Sequence, residues 1–255
     1  VHANLSSRYR IFGIELRPKS ETYSWVSQSS KTFEKVTVFS DTPPRFVLQR
    51  ARRIMVRMPT PGKTCFFLCG YEDPAIFLLA SLLRLRGGRV IMMNNSKFDD
   101  KPRKVWKEAA KSLFLLPYHG ALSSGIRSKS YWQYLGLDPR MITGGYNTVS
   151  LERIRRQAGV APAPDGPDFR DRHFTCVARL VPKKNLATLL SAYAVYLSGT
   201  REPRALHLCG SGPEEDALRQ QAADLGIADH LVFHGWLQDD AVSRLFGHTL
   251  ALLLP

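Results

Sequence analysis

The sequence of 255 residues has few cysteines and no long apolar run, and each absence excludes a class of protein. The four cysteines, at 65, 69, 176 and 209, are too few and too scattered for a disulfide framework or a zinc site. No stretch approaches the roughly 18 apolar residues of a transmembrane helix, and residues 1–4 do not read as a signal peptide. We therefore expect a cytoplasmic chain, with Cys65 and Cys69 inside a buried strand.

Acidic residues are also scarce: 22 Asp and Glu stand against 36 Lys and Arg, for a formal net charge of +14. The surplus is uneven, because residues 1–165 carry 27 basic and 12 acidic side chains whereas residues 166–255 carry 9 and 10. Such a surplus indicates an anionic partner, namely phosphates, nucleic acid or an acidic membrane surface. Nucleic acid is the least favoured, because the sequence has no helix-turn-helix signature, zinc spacing or aromatic RNA-binding motif.

Short apolar runs alternate with amphipathic segments of helix length along the chain, a pattern typical of an α/β fold with parallel sheets. A stretch rich in Pro and Gly, residues 159–168, interrupts the alternation. We therefore predict two Rossmann-like domains, residues 1–160 and 171–255, joined by a linker at 161–170. The predicted strands are 10–16, 35–39, 64–69, 89–93, 120–123, 173–178, 205–209, 231–233 and 250–254, and the predicted helices are 44–58, 74–86, 103–115, 125–135, 150–158, 185–197, 213–225 and 239–246.

The turn that follows the strand 173–178 carries two cations in positions suited to a phosphate. Arg179 comes at the end of the strand, and Lys184 comes just before the next helix. A guanidinium, an ammonium and the partial positive charge of a helix N-terminus together suit a diphosphate. The spacing thus favours a diphosphate site, although an ordinary loop with solvated basic residues would have the same sequence.

A second turn, after the strand 205–209, contains Gly210 and Gly212, which allow a tight turn and close backbone approach. The third glycine of the dinucleotide fingerprint is replaced by Glu215. The acidic start of this helix also fits carboxylates that simply stabilise the helix dipole. After the third strand, Phe233 and Gly235 leave room for a nucleotide base beside the backbone, and the intervening histidine is expected to be structural.

Taken in this order, the three turns resemble the nucleotide-binding domain of the GT-B glycosyltransferases often grouped as family 4. The matching stretches are 179–185, 208–214, 231–235 and 250–255, and residues 70–73 and 145–149 are similar to the first domain of bacterial members. The resemblance implies transfer of a sugar from a nucleoside-diphosphate sugar to a hydroxyl acceptor, with retained configuration and without a metal or other cofactor. It also implies that Arg179 and Lys184 hold the donor diphosphate and offset the charge on the leaving nucleotide. The implied donor-binding residues are Arg179, Lys184, Gly210, Gly212, Phe233 and Gly235.

The sequence departs from the family pattern in three places. The acidic motif expected after the last strand would lie beyond Pro255, and the family's opening strand would precede Asn4. The histidine often proposed for the active site in the first domain of these enzymes has no counterpart in this sequence, so no catalytic residue is assigned there. We therefore expect a fragment truncated at both ends, with an incomplete second domain and no activity alone. A non-catalytic nucleotide-sugar-binding protein and an epimerase on the same scaffold stay open.

The predicted helix 44–58 is basic and amphipathic. On a helical wheel its apolar residues share one side and its arginines gather on the other. One interpretation is a packed helix with a solvated outer face. The other is docking to the anionic inner face of a membrane, where the acceptor would be a sugar or a lipid-linked molecule used in surface polysaccharide synthesis. The apolar residues are Val47, Leu48, Ala51, Ile54, Met55 and Met58, and the basic residues are Arg45, Arg50, Arg52, Arg53 and Arg57.

Overall fold

The computed structural model describes residues 8–18, 33–40, 42–100 and 102–255, and the prediction about residues 1–4 lies outside them. The chain divides into two compact units, Val1–Val149 and Ser150–Pro255. Both are α/β with parallel strands, which confirms the predicted fold class. Each predicted helix is present, and each predicted strand is present within a residue or two of its expected bounds.

The first unit contains two parallel sheets and four α-helices among its described residues. Strand β1 (Phe12–Glu15) pairs with β2 (Glu34–Thr37), and helix α1 (Val47–Val56) packs against α2. The main sheet has its four strands in the order in which they occur along the chain. Its strands are β3 (Cys65–Leu68), β4 (Arg89–Asn94), β5 (Gly120–Ser123) and β6 (Ile142–Gly144), and the remaining helices are α2 (Pro74–Leu85), α3 (Val105–Leu115) and α4 (Ile126–Tyr134).

Helix α2 shows how the local sequence directs this unit. Asp73 is its N-cap and accepts a hydrogen bond of 2.8 Å from the backbone of Ala75, while a proline occupies the first helical turn. The helix then buries Leu79 and Leu83 completely, in the same core as Val90 of β4. A capped start and one apolar face are therefore enough to fix the helix on the sheet.

One expectation for the first unit was wrong, and one of its strands was not predicted. Cys65 and Cys69 are exposed rather than buried. Strand β3 forms an edge of the main sheet, and its burial alternates, so that Phe66 and Leu68 face the core while Cys65 faces outward. Strand β6 was not predicted, because it is only three residues long and buries one of them, Ile142.

A buried polar cluster ties α3 to α4. Glu108 is 4% exposed, and its carboxylate accepts hydrogen bonds from the Tyr131 hydroxyl at 2.5 Å and the Lys111 ammonium at 3.0 Å. Arg103 donates to the Tyr131 hydroxyl at 3.1 Å. These partners hold the pKa of Glu108 below its usual range despite the opposing effect of burial. The buried charge is thus fully partnered, as stability requires.

The second unit has one four-stranded parallel sheet in the order β10-β7-β8-β9. Helices α6 and α7 bury one face of this sheet, and the core there includes Leu190, Leu206 and Leu208. The chain runs from β7 outward to β9 and then returns to place β10 on the other side of β7. The strands are β7 (His173–Val177), β8 (Leu206–Cys209), β9 (Leu231–Gly235) and β10 (Thr249–Leu252), and the helices are α5 (Leu151–Ala158), α6 (Leu186–Gly199), α7 (Glu215–Asp224) and α8 (Asp239–Gly247).

The division between the units falls before α5 rather than in the Pro-rich stretch at which the sequence predicts the linker 161–170. Helix α5 packs against α8 of the second unit. The Ser243 hydroxyl donates to the Gln157 side chain at 3.1 Å, and Arg153 pairs with Asp239 at 3.2 Å. These contacts make α5 part of the second unit, although it precedes the prolines in sequence.

Replacing Tyr131 with Phe should lower the free energy of unfolding by about 1–3 kcal/mol, because the buried Glu108 carboxylate loses a hydrogen-bond donor. The measurement is urea denaturation. Tyr134→Phe is the matched control, since Tyr134 lies in the same helix but is 59% exposed. Equal losses in the two variants would contradict a role for the buried hydroxyl.

Candidate donor-binding site

The three turns singled out from the sequence meet at the carboxyl edge of the second sheet. The Leu180 backbone N–H donates to Ser211 at 3.0 Å, and the Glu214 N–H donates back to Leu180 at 3.2 Å. The Gly210 N–H donates to the Gly235 carbonyl at 2.8 Å. Backbone hydrogen bonds therefore join the turn after β7 to the turn after β8, and they also join the turn after β8 to the end of β9.

Gly210 and Gly212 permit this contact between backbones. A Cβ atom on Gly210 would lie 1.9 Å from the Ala178 carbonyl oxygen, and one on Gly212 would lie 2.2 Å from the Leu180 oxygen. Gly210 also has a φ of +145°. Any larger residue would therefore push the two turns apart, so the two glycines act by letting the turn after β7 close onto the turn after β8.

The turn after β7 holds Arg179 and Lys184 at the topological switch point of the sheet. The order of strands reverses beside β7, and ligands of open α/β sheets bind outside the carboxyl ends of the strands at such a point. Both side chains are half-buried. Among the described residues, no carboxylate lies within 4.0 Å of the Lys184 ammonium. Burial raises the pKa of the Cys176 thiol on β7, and the nearby Lys184 charge partly opposes that rise.

Helix α6 begins at Leu186, two residues after Lys184. Asn185 adopts a left-handed conformation, with φ +52°, and its side chain accepts a hydrogen bond of 2.8 Å from the Thr188 hydroxyl. The first turn of α6 contains no acidic residue, whereas α7 begins with Glu215 and Asp216. The N-terminus of α6 is therefore the more favourable of the two for an anion.

The other two predicted donor residues lie on β9. Gly235 contacts the turn after β8 through its carbonyl, as described above. Phe233 packs partly buried against the core, and its ring centroid lies 4.1 Å from the Arg219 guanidinium. Its contacts in the structure are thus with the helix layer. His234, expected to be structural, bonds the His207 ring at 3.0 Å.

The carboxyl edge of the first sheet brings together two residues that the sequence did not single out as a pair. The Cys69 thiol and the Tyr146 hydroxyl are 3.7 Å apart, although 77 positions separate them in the chain. The Tyr146 backbone N–H also donates to Ser123 at 3.1 Å. No local signal could have revealed this contact. In the described part of the chain, no group of three His, Cys, Asp or Glu residues could hold a metal ion.

The basic helix α1 differs from its prediction at two positions. Arg50 is not on an open basic face, because its half-buried guanidinium pairs with Asp73 at the start of α2. Leu48 is 70% exposed, since only Ala51 and Ile54 of this helix are buried. Arg52, Arg53 and Arg57 are exposed and line, with Val38, Gln49 and Val56, a surface groove of about 420 Å³.

Comparison with known proteins bears on the second unit most directly. Residues 164–255 match the family described as "Glycosyl transferases group 1". The match covers most of the second unit and none of the first. A GDP-mannose-dependent α-(1-6)-phosphatidylinositol monomannoside mannosyltransferase of Mycobacterium tuberculosis is 38% identical over 65 residues, which are 26% of this chain and 17% of that protein. Its counterpart from Mycolicibacterium smegmatis is 36% identical over 81 residues, 29% of this chain and 21% of that one.

Solved structures of GT-B glycosyltransferases share the fold of the chain. The lipopolysaccharide outer core galactosyltransferase WaaB matches with a TM-score of 0.56 and 19% identity over 88% of this chain and 59% of WaaB. A variant of TarM from S. aureus, in complex with fondaparinux, α-GlcNAc-glycerol and UDP, matches with a TM-score of 0.60 and 11% identity over 81% of this chain and 39% of TarM. The chain thus spans only part of the length of these relatives.

Replacing Gly212 with Ala should lower the free energy of unfolding by about 1–3 kcal/mol, because the new methyl group would overlap the Leu180 carbonyl oxygen. Thermal and urea unfolding would measure the loss. Gly199→Ala serves as the control, since nothing lies within 4 Å of a Cβ at the end of α6. A Gly212 variant as stable as the control would show that the turns tolerate separation.

Proposed function

We propose that the chain takes part in transferring a sugar from a nucleoside-diphosphate sugar to a hydroxyl acceptor, with Arg179 and Lys184 holding the donor diphosphate. The observation that carries this proposal is the half-buried ammonium of Lys184, which has no carboxylate partner among the described residues. A partly desolvated cation without an anion nearby is an unfavourable arrangement unless a ligand supplies the negative charge. The group 1 match over the same residues supports this assignment.

The surroundings of Lys184 favour a diphosphate over a ligand with a single negative charge. Arg179 offers a planar fork for phosphate oxygens, and the N-terminus of α6 adds backbone N–H groups and a partial positive charge. Together they suit two adjacent phosphoryl groups. The TarM structure contains UDP, and the mycobacterial relatives are named for GDP-mannose, so both nucleotides are candidate donors for this chain.

In the proposed reaction the bond between the anomeric carbon and the β-phosphate oxygen breaks, and the acceptor oxygen bonds to the same carbon. The acceptor proton leaves with the nucleoside diphosphate. Arg179 and Lys184 would offset the charge that develops on that leaving group, so no metal ion is required. We propose retention of the anomeric configuration on the basis of the family resemblance, and we assign no catalytic residue in the first unit.

The first unit suits an acceptor at an anionic surface. It carries 24 Lys and Arg against 10 Asp and Glu, whereas the second unit carries 12 of each. No described helix is long and apolar enough to cross a bilayer. The mycobacterial relatives are named for a phosphatidylinositol mannoside, which supports a lipid-linked acceptor for this chain. We propose that the protein works as a peripheral enzyme in the synthesis of a surface glycan.

Helix α1 is the proposed membrane-facing element. Its exposed arginines stand beside apolar side chains that are also in solvent, with Phe46 76% and Val56 75% exposed. Arginines favour anionic headgroups, and exposed apolar side chains favour the boundary between headgroups and acyl chains. The basic residues proposed for this contact are Arg45, Arg52, Arg53 and Arg57, without Arg50.

Replacing Lys184 with Ala should weaken binding of a nucleoside-diphosphate sugar by about 10- to 150-fold, the loss expected for a charge-assisted contact to phosphate. Calorimetry with UDP-, GDP- and ADP-sugars measures the affinity, and Arg179→Ala should behave similarly. Lys183→Ala is the matched control, because Lys183 is adjacent but exposed. Equal affinity in the Lys183 and Lys184 variants, or no binding by the unaltered chain, would overturn the proposal.

Replacing Arg52, Arg53 and Arg57 together with Ala should weaken binding to anionic vesicles by about 100-fold, since each cation contributes about 1 kcal/mol near such a surface. Sedimentation with phosphatidylcholine vesicles, with and without phosphatidylglycerol, tests this. The control removes equal charge from the second unit, at Arg155, Arg156 and Arg201, which are also exposed. Unchanged sedimentation of the α1 variant would remove this helix from the membrane contact.

A further inference from the structure

Three of the five histidines of the second unit lie on one face of its sheet, the face opposite α6 and α7. Alternation along each strand places His173 on β7, His207 on β8 and His234 on β9 on this face. Thr249 of β10 lies beside His173 in the strand register. One polar row, comprising Thr249, Thr175, His173, His207 and His234, thus crosses all four strands; we call it the histidine row.

The hydrogen bonds at one end of the row fix which groups donate. The Thr249 hydroxyl donates to the Leu245 carbonyl of α8 at 3.0 Å. Because each hydroxyl has one proton, the Thr175 hydroxyl must donate to Thr249 across 2.7 Å. The His173 Nδ1 atom, 3.0 Å from Thr175, must then carry a proton and donate to it. Neutral His173 is thus held as a single tautomer.

The three imidazoles contact one another directly. The rings of His173 and His207 stack with centroids 3.7 Å apart and planes 7° from parallel. His207 Nδ1 and His234 Nε2 are 3.0 Å apart, a distance that requires one nitrogen to donate and the other to accept. A proton added to His207 would therefore place a cation against the stacked ring of His173. Protons on both His207 and His234 would in addition set two N–H groups against each other across the 3.0 Å contact and break that hydrogen bond.

In the part of the chain that the structure describes, no carboxylate forms an ion pair with an imidazole of the row. Burial, with smaller contributions from the neighbouring His173 and His234, lowers the pKa of His207 to about 4. Burial likewise lowers the pKa of His173, with contributions from His248 and His234. The charged residues of α8, which packs against this end of the row, are exposed and paired elsewhere: Asp240 with Arg244, and Asp239 with Arg153 of α5.

The row ends beside the candidate donor site. His234 is the extra residue of a β-bulge, because Phe233 pairs with Leu208 and Gly235 pairs with the next residue of β8. The Gly235 carbonyl is the group that accepts the hydrogen bond from Gly210. A shift of His234 would thus act directly on the backbone bond that connects β9 to the turn after β8.

We propose that the histidine row is an acid-sensitive device, which holds the four strands together while its imidazoles are neutral and loosens the donor edge of the sheet when they take up protons. The loosening of the sheet is inferred from the contacts of the histidine row alone. Its effect on donor affinity rests on the proposed function.

The direction of the pH dependence follows from linkage. An unfolded histidine binds a proton near its ordinary pKa of about 6.5, whereas the folded row resists protonation. Below that pH the unfolded state binds more protons than the folded state, so the stability of the second unit should fall as the pH drops. Above about pH 7 the histidines are neutral in both states, so the row adds nothing to the pH dependence of stability there.

The test compares the intact chain with His207→Gln by thermal unfolding and by hydrogen exchange at about pH 8 and about pH 5, on either side of the ordinary histidine pKa. The unaltered chain should lose stability at the lower pH, with β7 to β9 exchanging faster. His207→Gln, which cannot become charged, should reduce that loss by about half or more. His230→Gln, a histidine of the same unit outside the row, should leave it unchanged.

An equal loss in the His207 variant and the unaltered chain would overturn the proposal, whatever the donor measurements show. If His207→Gln does not fold even at the higher pH, His234→Gln answers the same question, because it removes the third imidazole but keeps the stacked pair. An unchanged pH dependence in a folded His234 variant would also overturn it. Binding of UDP and GDP at both pH values then tests the link to the donor site separately.

Discussion

The contact between the backbone of Leu180 and the turn at Ser211 and Gly212 is the constraint on which the candidate site depends. Two hydrogen bonds join these segments, and only glycine fits at the point of closest approach. Because this contact fixes the turn after β7, it also fixes where Arg179 and Lys184 stand relative to the ends of the strands. The electrostatic character of the site thus follows from the packing of one backbone segment on another.

The two units differ sharply in net charge. The second unit has no net formal charge, so attraction for a phosphate must come from locally placed cations and a helix end rather than from an overall field. The first unit carries the whole surplus of +14 and exposes arginines and apolar side chains along α1. This difference is consistent with the proposed function, in which the second unit binds a donor from solution and the first unit meets an acceptor at an anionic surface.

Local pattern was sufficient for most of the fold and for the three turns of the site, because strand alternation, helix caps and glycine turns are short-range signals. It failed where a long-range contact decided the outcome. Asp73, 23 positions away, turned Arg50 inward from the basic face, and the edge position of β3 exposed Cys65. The stacking of His173 on His207 is equally invisible in sequence, since it depends on the register between two strands.

The most direct measurement is an experimental structure of the chain with UDP or GDP bound. We predict that the β-phosphate lies within hydrogen-bonding distance of the Lys184 ammonium and the Arg179 guanidinium, at the N-terminus of α6. A diphosphate bound elsewhere on the second unit, or one that leaves both cations without contact, would contradict it.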